Sequence, residues 1–388
     1  MRDRELELSI VMPCLNEADT LAACVRDAQR ALADGDIEGE VIVADNGSTD
    51  GSQAIAASLG ARLVEVEARG YGNALAGGIQ AARGRYVVIG DSDQSYDFLE
   101  VPRFVEKLRE GFDLVQGCRL PAGGGRIAPG AMPFLHRWVG NPLFSRLARG
   151  WFRVPIHDIN CGLRGFTRKH YDELDMRCTG MEFATEMIIK SSLHGARIAE
   201  VPITLRPDGR RAHAPHLRTF RDGWRTLRFY MLFSPRWLFL VPGALLMLAG
   251  ALAYALALPG AEIRGIHFGE HTLLFGSLSV LCGYQSIAFA VLTKAFAIGE
   301  GLMPEDARMS RLARAASLER GLVVGAAMLA AGALLLLGAV QQWMAVDFGD
   351  LDYRRTMRWV IPGAMWTALG LQTVLFSFFA SILSMKRR

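Results

Sequence analysis

The sequence predicts an α/β domain built on a parallel sheet, followed by four membrane-crossing helices. Three observations carry that prediction. Short apolar runs alternate with segments of helical period through the first 205 residues. From Trp237 onward, four long runs are almost free of charge. And 388 residues, 51% of them hydrophobic, exceed one ordinary domain.

The elements of the first half follow from periodicity. Leu8 to Cys14 (LSIVMPC) reads as a strand, Ala18 to Leu32 as a helix, and Glu40 to Asn46 (EVIVADN) as a second strand. STDGSQAIAASL then reads as a capped helix, followed by the strand RLVEVE and a helix from Gly72 to Ala82. The strand YVVIGD, a helix from Val101 to Glu110 and the strand DLVQGC complete the series. Strands apolar along their whole length, alternating with helices, predict a parallel sheet covered on both faces. Ligands in such sheets bind beyond the carboxyl ends of the strands. There the chain places Asn16 and Glu17, Asp45 and Asn46, and Asp91 to Asp93.

In the second half, Trp237 to Leu258 has no charge and is long enough, at about 1.5 Å per residue, to cross a hydrocarbon core of about 30 Å. Thr272 to Ile298, Leu322 to Val346 and Trp359 to Met385 repeat the pattern, interrupted only by Lys294 near the end of its run. Arginines 308, 311, 314 and 320 lie between the second and third runs, and Lys386, Arg387 and Arg388 end the chain. That bias predicts both termini, and the α/β half, on the cytoplasmic side. Arg354, Arg355 and Arg358 oppose it, but Asp347, Asp350 and Asp352 lie beside them. MRDRELELSIVMP has no apolar signal-peptide core, in keeping with that side. Between the halves, residues 206–236 hold eight arginines against Asp208 and Asp222. Arg218, Arg221, Arg225 and Arg228 fall on one helical face, with Leu217, Phe220, Trp224, Leu227 and Tyr230 near another, as an amphipathic helix at a bilayer surface requires. The expected organisation is therefore 1–205, 206–236 and 237–388.

Several function classes drop out. A formal charge of +4 is too mild for a nucleic-acid binder. The six cysteines form no CxxC pair, so reduced thiols are expected. The first strand is followed by Pro13-Cys14-Leu15-Asn16-Glu17 rather than GxGxxG, and there is no P-loop. What remains distinctive is Asp91-Ser92-Asp93 at the end of an apolar strand. Two carboxylates so placed can bracket Mg²⁺ or Mn²⁺ and leave open positions for diphosphate oxygens.

VMPCLNEADTL, VADNGSTDGS and GDSDQ, in that order, resemble the family 2 glycosyltransferases of the GT-A (Rossmann-like) fold. LVQGCR, LHRWVGNP, DINCGLRGF, GMEFATEM and AEVPITLR are similar to its polyprenyl-phosphate subgroup, which includes the dolichol-phosphate mannose and glucose synthases. The resemblance implies transfer of a hexose, with inversion, from a nucleotide sugar (UDP-glucose ahead of GDP-mannose) to a polyprenyl or dolichyl phosphate at the membrane. It implies that Pro13, Asn16, Glu17, Asp45 and Asn46 line the nucleotide pocket, although many relatives carry Asp at position 46. Asp91 and Asp93 would hold Mg²⁺ or Mn²⁺ and the donor diphosphate. The DxDxQ pattern of relatives would put glutamine at position 95. Here Ser95 stands there, leaving Gln94 as the candidate third ligand. Arg119, Arg137 and Asn141 would take the acceptor phosphate, and Glu186, with Glu182 as a second candidate, would face the site as a positioning group first and a base second. Arg210 or Arg211 would bind the diphosphate. The lipid bilayer is the remaining partner, and self-association into a homo-oligomer is left open.

Two rivals predict different features. A processive polysaccharide synthase would show QxxRW, whereas the nearest string is Gln80-Ala-Ala-Arg83-Gly84. A non-enzymatic carrier or flipping scaffold would need polar groups along the spans, which offer only Gln285, Lys294, Gln341, Gln342 and Gln372 beyond hydroxyls.

Overall fold

The computed structural model describes residues 6–210, 219–304 and 317–384. It divides into two units, Met1–Tyr230 and Met231–Arg388.

The first unit is built on a seven-stranded sheet: β1 (Leu8–Cys14), β2 (Gly39–Asp45), β3 (Arg62–Glu65), β4 (Tyr86–Ile89), β5 (Leu114–Cys118), β7 (Arg164–Thr167) and β8 (Ile198–Pro202), in the spatial order β3-β2-β1-β4-β7-β5-β8. A short pair, β6 (Arg126–Ile127) and β9 (Thr204–Leu205), lies beside it. β1 is central, and Leu8, Ile10, Val11 and Met12 are fully buried, as expected of a strand covered on both faces. The helix α1 (Leu21–Asp34) buries Leu21, Cys24, Val25, Ala28, Ala31 and Leu32, one stripe at helical spacing. Val101, Phe104, Val105 and Leu108 do the same for α4 (Val101–Arg109). The helix α2 (Ser52–Ser58) is shorter than its sequence suggests. It starts at Gly51 (φ 93°), and Asp50 accepts from the Ser52 amide and hydroxyl just ahead of it.

The sheet corrects the expectation of all-parallel strands. β7 runs antiparallel to both neighbours, with Ile89 and Gln116 each opposite Arg164. A further parallel strand needs a crossover back to the amino edge. The chain from Arg119 to Leu163 instead re-enters from the carboxyl edge, so β7 must run backwards. The consequence is functional: residues 158–163 arrive at the same edge as the ends of β1, β2 and β4.

Three further helices shape that edge: α3 (Tyr71–Ala81), α5 (Asn141–Phe152, after a π-type turn at His136–Gly140) and α7 (Phe183–Leu193), with the single-turn α6 (Arg168–Glu173) on the way. The helix α8 (Thr219–Leu232) joins the unit through Tyr230, which is fully buried, donates to the Phe144 carbonyl and sets its ring edge-on to that of Phe144. Phe220 (84% exposed) and Trp224 stay in the open, so the apolar face expected of this segment is divided between core and surface. Arg218 lies outside the described residues.

The second unit holds four helices long and apolar enough to cross a membrane: Arg236–Ala257, Glu270–Gly299, Leu318–Met344 and Tyr353–Leu383. They contain α9 (Val241–Ala257), α10 (Glu270–Gly299), α11 (Leu318–Met344) and α12 (Tyr353–Ser384), with a hairpin of β10 (Glu262–Ile263) and β11 (Ile266–His267) between the first two. Gly243 and Gly250 of α9 meet the backbone of Gly283 and Gly276 of α10, and Gly325 and Gly332 of α11 meet that of Gly370 and Gly363 of α12. Side-chain-free contacts of this kind let helix backbones approach in an apolar solvent. Arg308, Arg311, Arg314 and the last four residues, which carried the orientation argument, lie outside the described residues.

Candidate active site

The register of three parallel strands assembles the acidic residues. Cys14 lies opposite Asp45 and Val11 opposite Ile89, so the loops after β1, β2 and β4 open side by side. The first two loops are latched together. Asn16 (φ 60°) accepts from the Thr49 amide at 2.8 Å, and its own amide donates to Ser48 Oγ at 2.9 Å. The Glu17 amide donates to Ser52 Oγ at 3.0 Å. The third loop is tied to β1 by Ser92 Oγ, which donates to the Pro13 carbonyl at 2.7 Å.

Asp45 is buried and accepts from the Gly47 and Ser48 amides and from Gln53 Nε2 at 2.7 Å. Burial alone would raise its pKa, but hydrogen bonds from Ser48, Gln53 and Gly47 outweigh it and hold the carboxyl below its usual value. Asn46 uses its whole amide on the fold. Nδ2 donates to the carbonyls of Val66 (2.9 Å) and Ala68 (2.8 Å), and Oδ1 accepts from the Gly70 amide (2.8 Å). A carboxylate could not make the first two bonds, so the fold of this chain calls for Asn rather than Asp at position 46.

Asp91 and Asp93 follow β4. Tyr71, the first residue of α3, donates to Asp91 Oδ1 at 2.8 Å. Asp93 Oδ1 accepts from the Ser95 amide (3.0 Å) and hydroxyl (2.5 Å). Burial, and then the neighbouring Asp93, push the Asp91 carboxyl up to about 6, against the hydrogen bond from Tyr71 and the charge of Arg210. Gln94 adopts a left-handed backbone (φ 63°), with Oε1 set against Gly209.

Arg210 reaches into this corner. Its guanidinium contacts Glu17 Oε1 at 2.7 Å, Asp208 Oδ2 at 2.8 Å and Asp93 Oδ2 at 3.3 Å. The segment that carries it is fastened over the third loop, the Gly209 amide to the Asp93 carbonyl and the Arg206 amide to the Ser95 carbonyl, both at 2.9 Å. Burial works against the Arg210 charge, but Glu17, Asp93 and Asp208 more than restore it. Arg211 lies outside the described residues. Among the described residues, no three His, Cys, Asp or Glu converge as a self-sufficient metal site. Asp91 and Asp93 are the carboxylates at this corner that could share a divalent cation with oxygens of a ligand and water.

A second cluster sits beside this corner, at the end of β5 and the start of β7. Arg119 is gripped by Asp158, Nε to Oδ2 at 2.7 Å and Nη2 to Oδ1 at 2.9 Å, and its amide also donates to Oδ2 at 3.0 Å. Asp158 is fully buried and is itself fixed by Glu200, which accepts from the amides of His157 (2.7 Å) and Asp158 (3.0 Å). Asn141 joins the same segment, its Oδ1 accepting from Asn160 at 3.0 Å. Arg137 stacks over Trp138, 5.3 Å from the ring centroid, and its buried Nε has no hydrogen-bond partner among the described residues. Burial, and then the Arg119 charge, lower the His136 pKa from its ordinary value.

Glu186 is placed differently from the expectation that it faces a ligand. It is 1% exposed, pairs with the equally buried Lys190 at 2.8 Å, and accepts from the amides of Arg177 (3.1 Å) and Cys178 (2.7 Å). Its influence on the corner is indirect. It holds residues 177–179, whose Thr179 carbonyl would lie 2.5 Å from a Cβ at Gly70 (φ 135°), immediately before Tyr71. Glu182 keeps one buried oxygen without a hydrogen-bond partner among the described residues.

The structure therefore joins Glu17, Asp91, Asp93 and Arg210 in one corner and Arg119 with Asn141 in another, while Glu186 stands apart from both. It also adds Tyr71, Tyr96, Asp158, Arg164 and Asp208, which sequence reasoning missed. Arg164, fully buried, donates to the carbonyls of Ala184 and Cys161, tying α7 to the re-entering strand. The available signals were Tyr71 between two glycines and Asp158 heading DINCGLRGF.

Comparison with known proteins follows the same division. Residues 9–175 match the family described as glycosyl transferase family 2, and residues 291–384 match the family 2 C-terminal transmembrane region. The low-salt glycan biosynthesis hexosyltransferase Agl6 of Haloferax volcanii is 37% identical over 374 residues, 96% of this chain and 87% of that one. A dolichyl-phosphate hexose transferase of the same organism is 33% identical over 201 residues, 52% of this chain and 83% of that one. A crystal structure of glucosyl-3-phosphoglycerate synthase from Mycobacterium tuberculosis with Mn²⁺, UDP and phosphoglyceric acid is 26% identical and covers 58% of this chain and 78% of that one, at a TM-score of 0.45.

Proposed function

Because this chain belongs to glycosyltransferase family 2, we propose that it moves one hexose, with inversion, from a nucleotide sugar to the phosphate of a polyprenyl lipid. One observation carries the reading: an acidic corner and a buried, rigidly held arginine lie at the same strand edge, with Tyr96 and Gly162 touching both. Such a pair suits two anionic reactants that must meet. The names of the relatives support the substrate class, since one is a hexosyltransferase and another a dolichyl-phosphate hexose transferase.

In this mechanism an oxygen of the lipid phosphate forms a bond to the anomeric carbon as the bond from that carbon to the donor diphosphate breaks. The nucleoside diphosphate leaves with the electron pair. The nucleophile is already anionic near neutral pH and needs little help from a base. Asp45 meets the base, with Pro13, Asn16 and Glu17 around it, and Asn46 shapes this pocket through the backbone. Asp91 and Asp93, with Gln94 alongside, would hold Mg²⁺ or Mn²⁺, which when bound neutralises charge on the diphosphate. Arg210, joined by Arg211, donates to the diphosphate. Arg119, Arg137 and Asn141 fix the acceptor phosphate, and orientation together with charge compensation lowers the barrier. Glu186 acts by holding the loop against α3. UDP-glucose is the donor proposed ahead of GDP-mannose. The four apolar helices anchor the protein in the bilayer, with the catalytic unit on the cytoplasmic side.

Purified protein is incubated with Mg²⁺, a panel of nucleotide sugars and polyprenyl phosphate, and the lipid product is weighed by mass spectrometry. A glycolipid carrying one hexose is expected, and its absence with every donor refutes the reading. Asp93→Ala should lose more than about tenfold in activity, as expected for removing charge stabilisation at the leaving group. A smaller loss refutes the metal role.

A further inference from the structure

We infer that Tyr96 is a direct contact for the acceptor, presenting its phenolic proton to an anionic oxygen of the phosphate monoester that Arg119 holds. The inference deepens the proposed function and rests on it.

A phenol offers one proton and accepts at its oxygen. The Tyr96 oxygen already accepts from the Gly162 amide at 2.8 Å and from Arg119 Nη1 at 3.5 Å, the outer limit of a hydrogen bond. Its proton has no acceptor among the described residues. The residue is 6% exposed, and a buried hydroxyl normally finds a partner for its proton. With its oxygen taken up by two donors, Tyr96 has only its proton left to offer a ligand.

Its neighbours define what it donates to. Asp158 occupies Nε and Nη2 of Arg119 and prevents the guanidinium from turning, so Nη1 has no short bond among the described residues. On the other side, a Cβ at Gly162 would lie 2.8 Å from Asp91 Oδ2 and 3.0 Å from the Tyr96 ring, so Asp91 and Tyr96 flank a gap only a glycine can occupy. Nη1–H and the Tyr96 O–H together form a two-donor notch between the acidic corner and the arginine. That is where a phosphate about to attack the donor must stand. Asp158, which touches no ligand, is a positioning residue for this notch.

The test uses full-length protein in lipid nanodiscs. Tyr96→Phe keeps the ring against Gly162 and removes the hydroxyl. KM for polyprenyl phosphate should rise about tenfold, the size of a hydrogen bond to a charged group, with kcat changed less than about threefold. KM for the nucleotide sugar and Mn²⁺ affinity measured without turnover should hold. Inorganic phosphate, tested as a competitor of the lipid, should weaken by a similar factor. An unchanged KM for the lipid, or equal losses for donor and acceptor, overturns the inference. Loss of lipid binding with inorganic phosphate competing as before also overturns it, because the contact would then be to the prenyl chain. A second measurement does not depend on the variant folding. Fluorotyrosine at position 96 should change its ¹⁹F shift when a phosphate monoester is added and not when UDP alone is added. No shift overturns the contact. That readout needs no turnover, so it still reports on the notch if no donor yields glycolipid and the proposed function fails.

Discussion

Glu186→Gln separates a structural carboxylate from a catalytic one. In the folded protein the Glu186 charge faces Lys190 at 2.8 Å, both side chains are 1% exposed, and Lys190 Nζ also donates to the carbonyls of Leu174 (3.1 Å) and Asp175 (2.7 Å). Glutamine keeps the shape but removes the negative charge, and its NH2 must face either the Lys190 ammonium or the amides of Arg177 and Cys178, which are themselves donors. Removing one partner of a buried ion pair costs about 3–5 kcal/mol. The surviving carbonyl bonds place this case at the lower end, about 3 kcal/mol. For a unit of this size, about 2–4 °C per kcal/mol converts that to a fall in Tm of about 6–12 °C. Differential scanning calorimetry of the solubilised protein reads the shift. Lys190→Met should cost a similar amount, and the double variant less than the sum, because the two losses share one interaction. Below the new Tm, specific activity per folded molecule should stay within about threefold of the parent, since neither side chain reaches Asp91 or Arg119. An unchanged Tm with activity abolished would refute this reasoning and return Glu186 to the reacting centre.

Three further outcomes follow from the same geometry. Asn46→Asp removes two donations and sets a carboxylate against the carbonyls of Val66 and Ala68, so it should destabilise the protein by about 2–4 kcal/mol. Denaturant unfolding measures the loss, and amide exchange should rise first in residues 66–70. The carboxyl of Asp91 is held at about 6, above its unfolded value of 3.8. Its ionisation therefore costs stability as pH rises from about 4 to about 6, and a proton competes with the cation below about 6. Mn²⁺ affinity, followed by paramagnetic resonance between about pH 5 and pH 8, should fall below pH 6 and level off above it. Arg210→Ala takes away the guanidinium that sits against Glu17 and Asp93. Mn²⁺ alone should then bind about tenfold more tightly, about 1.4 kcal/mol, whereas UDP should bind more weakly. Calorimetric titrations separate the two, and weaker binding of both would contradict the geometry.

Much of this architecture can be read from residue order. Leu8–Cys14 and the apolar ends of β2 and β4 are legible because a strand buried on both faces must be apolar throughout. The four apolar helices are legible because a bilayer demands about 20 uncharged residues in a row. Asp45, Asp91 and Asp93 stand out for a related reason: a carboxylate directly after such a strand can only be at the sheet's edge. The direction of β7 is not legible in this way, since Arg164–Thr167 carries the same pattern whichever way it runs.

By itself, then, the sequence determined local features: the strands β1 to β5, which runs suit a membrane, and which acids end the strands, but not the later strands β7 and β8. Only the tertiary structure decided the partnerships. It set Arg210 against Glu17, 193 residues away along the chain, locked Arg119 to Asp158, consumed the Asn46 amide on backbone carbonyls and buried Glu186 with Lys190. It also brought α9 against α10 and α11 against α12 at glycines that no hydropathy pattern marks. The physical reason is that burial and periodicity act on each segment separately, whereas a hydrogen bond or ion pair depends on the distance between two groups, and that distance exists only once the chain has closed.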